Sequence, residues 1–174
     1  YKTLTYLGAN VSYFIPDREK EGHGFDTKAL VKLMTSLKPK LIISVDCGIS
    51  DVEPVNFIKS FKIDVIITDH HEAPDVVPEA LAIINPKAPN ALDEYLSAKQ
   101  IKSLTSLAGV GVAFKLAQAL LEHYEKLEYI PEILPFVAVG TVADVVPLIG
   151  ENRYFVTKGL DLIAQGKHYG LKRL

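Results

Sequence analysis

Two short, almost uninterrupted apolar runs constrain the fold more than any other feature of this chain. They span residues 41–46 and 64–69, and each of them ends in an aspartate. Runs of this kind are typical of strands that are covered on both faces of a parallel sheet. The residues between them, from about 51 to 59, have the pattern of a helix, so we interpret the whole stretch as one strand–helix–strand unit.

The same alternation continues on both sides of this unit. Residues 11–15 are rich in strand-forming side chains and stop at Pro16, which predicts a strand, and residues 81–86 predict a further one. Residues 26–34 open with a capping aspartate and have their apolar side chains on one face, which predicts a helix. Strands that alternate with helices predict an α/β fold with a doubly wound, mostly parallel sheet flanked by helices.

The second half of the chain has a different, helix-rich pattern. Helices are predicted there over about 107–126, 131–142 and 152–165. The polar, proline-bearing stretch 87–106 is interpreted as a connector or an insertion. We therefore expect a strand–helix sheet portion at about 1–90 and a helical portion at about 105–174.

Composition restricts the class of protein. The formal net charge of −2 excludes a protein that binds nucleic acid through overall positive charge. Any binding of nucleic acid would need a local site or another domain. The single cysteine, Cys47, excludes an intrachain disulfide, and we recognise no signal peptide and no apolar run of membrane length. These features predict a cytoplasmic protein with no membrane partner. Because the chain begins with Tyr1 rather than Met, we expect it to be a piece of a longer protein.

Acidic and imidazole side chains follow two neighbouring strands. Asp46 ends one predicted strand, and Asp69, His70 and His71 end the next. In an open parallel sheet, ligands bind beyond the carboxyl ends of the strands, so these side chains are expected to converge. Carboxylates with imidazoles suit Mn²⁺ or Mg²⁺, and the imidazoles favour Mn²⁺. Each residue alone has a plainer explanation, as a solvated histidine pair or a helix cap, but together they favour a metal or phosphate site.

Four segments, in this order along the chain, resemble motifs of the RecJ branch of the DHH phosphoesterases. Residues 44–50 (SVDCGIS) and 65–71 (VIITDHH) resemble two successive motifs, and the second is the one that names the family. Residues 108–116 (AGVGVAFKL) and 140–148 (GTVADVVPL), the latter followed closely by ENR, are similar to later RecJ motifs.

This resemblance implies an exonuclease that degrades single-stranded DNA from the 5′ end and uses two divalent ions, Mn²⁺ or Mg²⁺. It implies that Asp46, His70, His71 and Asp144 ligate the metals, with Asp46 bridging the two ions. His71 is expected either to be a ligand or to contact the scissile phosphate. Asp69 is expected to orient the histidines from behind, as metal-bound imidazoles commonly require.

Two arginines are candidates for substrate binding. Arg18 lies in a stretch, residues 16–24, that resembles a RecJ loop near the active site, where a guanidinium could bind phosphate as a planar fork. A solvated charged loop is the alternative for this stretch. Arg153 is expected either to reach substrate or to pair locally at the start of a helix.

The chain also departs from the RecJ pattern. An earlier Asp-rich motif of the family, which supplies further metal ligands, is expected upstream of Tyr1, and the C-terminal nucleic-acid-binding domain is not recognised. The stretch from residue 90 to residue 106 is longer than the family usually has. We therefore expect a fragment of a DHH phosphoesterase catalytic domain, whose intact form has single-stranded DNA and a single-strand-binding protein as partners.

Two alternatives remain open at this stage. The chain could belong to another DHH phosphoesterase, acting on oligoribonucleotides or cyclic dinucleotides, although the segment around Asp144 favours RecJ. It could also be a catalytically inactive RecJ-like scaffold, although the presence of Asp46, His70, His71 and Asp144 argues against a decayed site.

Overall fold

A computed structural model of the chain describes residues 1–17, 25–92, 94–166 and 168–173. These residues form two compact units. The sheet unit comprises Ser12–Ala91, and the helical unit comprises Tyr1–Val11 together with Leu92–Leu174. In chain order the elements are α1 (Lys2–Tyr6), α2 (Thr27–Leu37), β1 (Leu41–Val45), α3 (Val52–Ser60), β2 (Asp64–Thr68), β3 (Ala82–Ile84), α4 (Ala98–Thr105), α5 (Gly109–His123), a 3₁₀ turn (Leu127–Tyr129), α6 (Ile130–Ala143), α7 (Gly150–Ala164) and α8 (Tyr169–Lys172).

The sheet has three parallel strands in the order β1–β2–β3. Val45 lies opposite Thr68 and Thr68 lies opposite Ile84, so the last residues of all three strands are in register. The segments that follow the strands therefore leave from the same edge of the sheet. The prediction of an α/β fold, with a mostly parallel sheet flanked by helices and a helix-rich second half, is confirmed.

The core of the sheet unit lies between the central strand and the two helices α2 and α3. Its buried apolar side chains are Leu30, Met34, Val55, Ile58, Ile63, Val65 and Ile67. Helix α2 begins as predicted, because the Asp26 side chain accepts a hydrogen bond of 2.8 Å from the amide of Ala29. The nearly continuous apolar sequence of β2 fits its burial, because side chains on both faces of this strand are buried or half-buried.

The helical unit is built around close contacts between α6 and α7. Gly159 of α7 lies against Ala138 and the backbone of Leu134 in α6, where a side chain on Gly159 would collide with both. In the described residues no single helix is long and apolar enough to cross a membrane, and only the pair α4 and α5, bent by 107°, reaches that length and hydropathy together.

The prediction of a strand at residues 11–15 is wrong. The described segment around these residues has no regular secondary structure, and Tyr13 and Ile15 are 69% and 78% exposed. Strand propensity expresses how well a side chain packs on a sheet surface, so it stabilises a strand only where a neighbour pairs with it. In the part of the chain that the structure describes, the sheet consists of β1, β2 and β3, and residues 11–15 pair with none of them.

The stretch 87–106, interpreted as a connector, contains helix α4. Ser97 caps this helix by accepting from the amide of Gln100, while the Gln100 side chain accepts from the amide of Ser97. This reciprocal pair is a capping box, and the spacing Ser-x-x-Gln is its sequence signature. The local signal for α4 was therefore present in the sequence and outweighed by the polar composition around it.

Candidate metal centre

Asp46 lies at the first turn beyond β1 in a left-handed backbone conformation, with φ of 65°. Its amide still continues the ladder by donating to the carbonyl of Thr68 at 2.9 Å. Aspartate tolerates this conformation better than most residues. Gly48, two residues later, has a φ of 113°, and a β-carbon there would lie 2.9 Å from Oγ of Ser44. The sharp turn after β1 therefore depends on residues suited to positive φ.

The end of β2 brings two histidines to the same place. Nε2 of His70 lies 3.1 Å from Oδ1 of Asp46. One candidate ligand atom from each of Asp46, His70 and His71 lies within 4.8 Å of the others. Side chains from two successive strand ends therefore converge as expected from the parallel topology.

Asp69 lies beneath this cluster and is only 1% exposed. Its Oδ1 accepts hydrogen bonds from the amide of His70 at 2.7 Å, from the amide of His71 at 3.3 Å and from Nδ1 of His71 at 2.7 Å. Its Oδ2 accepts from the amide of Ile49 at 3.0 Å. The Asp69 carboxylate engages Nδ1 of His71, which leaves Nε2 as the ring nitrogen available to a metal.

The protonation state of Asp69 follows from these contacts. Burial alone raises the pKa of this carboxyl, but the hydrogen bonds from the Ile49 amide, the His71 ring and the two histidine amides outweigh it. The pKa of Asp69 consequently lies below its ordinary value, and the group is ionised at neutral pH. An ionised carboxylate can hold the His71 ring by a charge-assisted hydrogen bond.

Cys47 lies next to Asp46 but has the character of an inert thiol. Burial raises its pKa to about 11, and the negative charges of Asp69, Asp51 and Asp46 contribute in the same direction. Burial and the neighbouring carboxylates both disfavour the thiolate, which is the reactive form of cysteine, and the ligand atoms that converge here belong to Asp46, His70 and His71. The donor set of the cluster is therefore carboxylate and imidazole.

This donor set fits a divalent ion of the Mn²⁺ type, which accepts both carboxylate oxygens and imidazole nitrogens. The side chains of Asp46 and His71 are 47% and 60% exposed, whereas that of His70 is 13% exposed. The cluster is thus anchored on its inner side and open to solvent on its outer side. Such an arrangement leaves room for further ligands, water or substrate.

The remaining predicted site residues are placed as follows. Asp144 ends helix α6 in the helical unit and is exposed, and Arg153 is exposed in the first turn of α7. Arg18 lies outside the described residues. The ligand role of Asp144 and the substrate-binding roles of Arg18 and Arg153 therefore stay predictions.

One residue near the cluster had no role in the sequence analysis. Asn85 follows β3 directly, is 2% exposed, and its side-chain amide donates to the backbone carbonyl of His71 at 2.9 Å. The signal that could have identified it is its position, because it follows β3 as Asp46 follows β1 and Asp69 follows β2.

Comparison with known proteins identifies the family. The model of the DHH family, N-terminal domain, matches residues 1–141. The single-stranded-DNA-specific exonuclease RecJ of Bacillus subtilis (strain 168) is 43% identical over 175 residues, which cover 99% of this chain and 20% of that protein. The enzyme of the same name from Escherichia coli (strain K12) is 39% identical over 177 residues, covering 95% of this chain and 29% of that protein. The chain therefore spans less than a third of the length of these relatives.

Solved structures agree with the sequence relatives. A crystal structure of exonuclease RecJ bound to manganese superposes with a TM-score of 0.79 at 34% identity, covering 98% of this chain and 40% of the other. A structure of RecJ in complex with Mn²⁺ from Thermus thermophilus superposes with a TM-score of 0.75 at 32% identity, covering 99% of this chain and 23% of the other.

Proposed function

This chain belongs to the DHH family, and we propose that it contributes the strand-end metal centre of a metal-dependent exonuclease acting on single-stranded DNA, within a longer protein of the RecJ type. The observation that carries this proposal is the convergence of Asp46, His70 and His71 within 4.8 Å at the carboxyl edge of the sheet. The relatives that match nearly all of this chain are single-stranded-DNA-specific exonucleases, which supports single-stranded DNA as the substrate.

Asp46, His70 and His71 would hold the metal, and the resemblance to RecJ supports Asp144 as a further proposed ligand. Two ions, Mn²⁺ or Mg²⁺, are proposed for the intact site, and the two RecJ structures with manganese support Mn²⁺. When bound, divalent ions of this kind lower the pKa of water for attack on the phosphodiester and neutralise the charge that develops on its oxygens.

The residues of the chain have distinct parts in this proposal. Asp69 holds the ring of His71 through Nδ1, so that Nε2 is the ring nitrogen available as a ligand. His70, more buried than His71, stands against the Asp46 carboxylate, which fixes the spacing between carboxylate and imidazole. The open outer side is the direction from which a strand of DNA would reach the site.

Further properties of the intact protein belong to the same proposal. Digestion from the 5′ end and an interaction with a single-strand-binding protein follow from the resemblance to RecJ. A cytoplasmic location fits a DNA-processing enzyme. Arg153 and Arg18 are proposed to contact the phosphates of the substrate, and residues 1–174 are proposed as part of the DHH catalytic domain.

The test is nucleotide release from the 5′ end of labelled single-stranded DNA by the intact protein with Mn²⁺. We expect Asp46→Asn and His70→Ala to reduce the rate to near background. The matched controls are Asp64→Asn, an exposed aspartate at the opposite end of β2, and His123→Gln, an exposed histidine at the end of α5. Retained activity in Asp46→Asn contradicts the proposal, and faster turnover of dinucleotides than of long single strands indicates a different DHH substrate.

A further inference from the structure

We propose that Asn85 is a positioning residue for His71 and, through it, for the metal centre. The inference rests on the proposed function, because it assumes that His71 is a ligand. It concerns a residue that directly follows β3, the strand that supplies none of the candidate ligands. The side-chain contacts of Asn85 with His71 and Lys87 lie within the sheet unit.

Asn85 is fixed at both ends of its side-chain amide. Its Oδ1 accepts from the backbone amide of Lys87 at 2.9 Å, which ties the side chain to the turn that follows β3. Its Nδ2 donates to the backbone carbonyl of His71 at 2.9 Å. Because the side chain is buried and one end is held by its own turn, the other end presents a donor at a fixed position.

His71 depends on such support because most of its side chain is exposed and its ring contact is with the neighbouring His70. The His71 side chain is 60% exposed, so contacts with neighbouring side chains constrain it weakly. Its backbone amide and Nδ1 are held by Asp69 on one side, and its carbonyl is held by Asn85 on the other. Together the two contacts fix the peptide groups on either side of the His71 α-carbon, and this determines where Nε2 points.

The two hydrogen bonds of the Asn85 side chain can be tested separately, and this distinguishes a positioning role from a local structural one. The contact with the Lys87 amide is a short-range turn that would stabilise the end of β3 in the absence of any metal. The contact with His71 crosses from the end of β3 to the segment after β2 and has no part in that turn. A substitution that keeps the first contact and removes the second therefore tests the positioning role.

Asn85→Ser is that substitution, since a serine hydroxyl can accept from the Lys87 amide but is too short to reach the His71 carbonyl. Mn²⁺ affinity is measured by calorimetric titration of the full chain, and imidazole coordination by the nitrogen modulation of the Mn²⁺ electron spin echo. The comparison set is wild type, Asp46→Asn, Asn85→Ser and Ile58→Val. The last substitution weakens the core far from the strand ends and controls for a general loss of stability.

We expect Asn85→Ser to weaken Mn²⁺ binding about 10-fold, which is the lower end of the range for residues that orient metal ligands. We also expect it to reduce the nitrogen modulation. Ile58→Val should bind Mn²⁺ as the wild type does. Wild-type affinity and modulation in Asn85→Ser would overturn the inference while leaving the proposed function intact. If wild type and Asp46→Asn bind Mn²⁺ equally, both the proposed function and the inference fall.

Should Asn85→Ser not fold, Asn85→Asp provides the same test. Its carboxylate retains the acceptor for the Lys87 amide and has no donor for the His71 carbonyl. The added negative charge by itself attracts a cation, so weaker Mn²⁺ binding in this variant supports the positioning role against the electrostatic trend. Unchanged nitrogen modulation in Asn85→Asp overturns it, because that signal, unlike the affinity, gains nothing from the added charge.

Discussion

Asp69 organises the strand ends more than any other described side chain, and Asp69→Asn is the substitution that tests this role. Asparagine has nearly the same shape but only one acceptor oxygen. Its amide group must therefore face either the Ile49 amide or the donors of His70 and His71, all of which now donate to the carboxylate. A buried donor left without an acceptor costs about 1–3 kcal/mol, and the loss of charge weakens the hydrogen bonds that remain. We expect the free energy of unfolding to fall by about 3 kcal/mol at pH 7.

The pH dependence of this loss gives a second, independent check. The folded-state pKa of Asp69 lies below its ordinary value, so its ionisation stabilises the fold above about pH 4. That stabilisation disappears as the pH falls through the lower, folded-state pKa. The difference in unfolding free energy between wild type and Asp69→Asn should consequently shrink on acidification below about pH 4.

The assay is urea denaturation of the metal-free chain in EDTA, at pH 7 and at acidic pH where both proteins are still folded. Val76→Ala, a change at an exposed position in the same unit, serves as a control for the measurement. Equal stability of wild type and Asp69→Asn at pH 7 would refute the reasoning. So would a difference that widens as the pH is lowered.

Three further substitutions test other parts of the account. Gly48→Ala places a β-carbon 2.9 Å from Oγ of Ser44 at a φ of 113°. We therefore expect the free energy of unfolding to fall by about 2 kcal/mol in denaturant titrations, and an unchanged unfolding midpoint would contradict this. Burial raises the pKa of Asp51, which accepts from the Phe25 amide at 3.2 Å, so its charge opposes folding above its ordinary pKa. Asp51→Asn keeps an acceptor, so we expect the free energy of unfolding to rise by a few tenths of a kcal/mol at pH 7 and to stay unchanged near pH 3. A lower free energy of unfolding at pH 7 would contradict this. Asn152 is fully buried and donates to two backbone carbonyls at 2.6 and 3.0 Å, so Asn152→Ala should cost about 3 kcal/mol, and an unchanged melting temperature would count against that role.

The elements that were predictable from sequence are those whose signal is local. The apolar runs of β1 and β2 and the capping aspartate before α2 each lie within a few residues of the element they specify. The strand predicted at residues 11–15 had an equally good local pattern and is wrong, because pairing with a neighbouring strand is a tertiary property. The capping box of helix α4 is also local, but it lies in a polar, proline-bearing stretch whose composition favours a connector.

The candidate site divides in the same way. The convergence of Asp46, His70 and His71 could be predicted because parallel strands in register bring their ends to one edge. The left-handed turn at Asp46 and the bond from Asn85 to His71 could not, because both depend on how separate segments meet in three dimensions. A single sequence contains the residues of such contacts but no local pattern that pairs them.

The central claim is that a divalent ion binds where Asp46, His70 and His71 meet. Anomalous diffraction from crystals of this protein soaked in MnCl₂ tests it most directly, because the manganese signal locates the ion without reference to activity. We predict an anomalous peak in coordinating contact with a carboxylate oxygen of Asp46 and a ring nitrogen of His70, on the solvent side of the buried Asp69 carboxylate. Manganese bound elsewhere, with no peak at these side chains, would contradict the account.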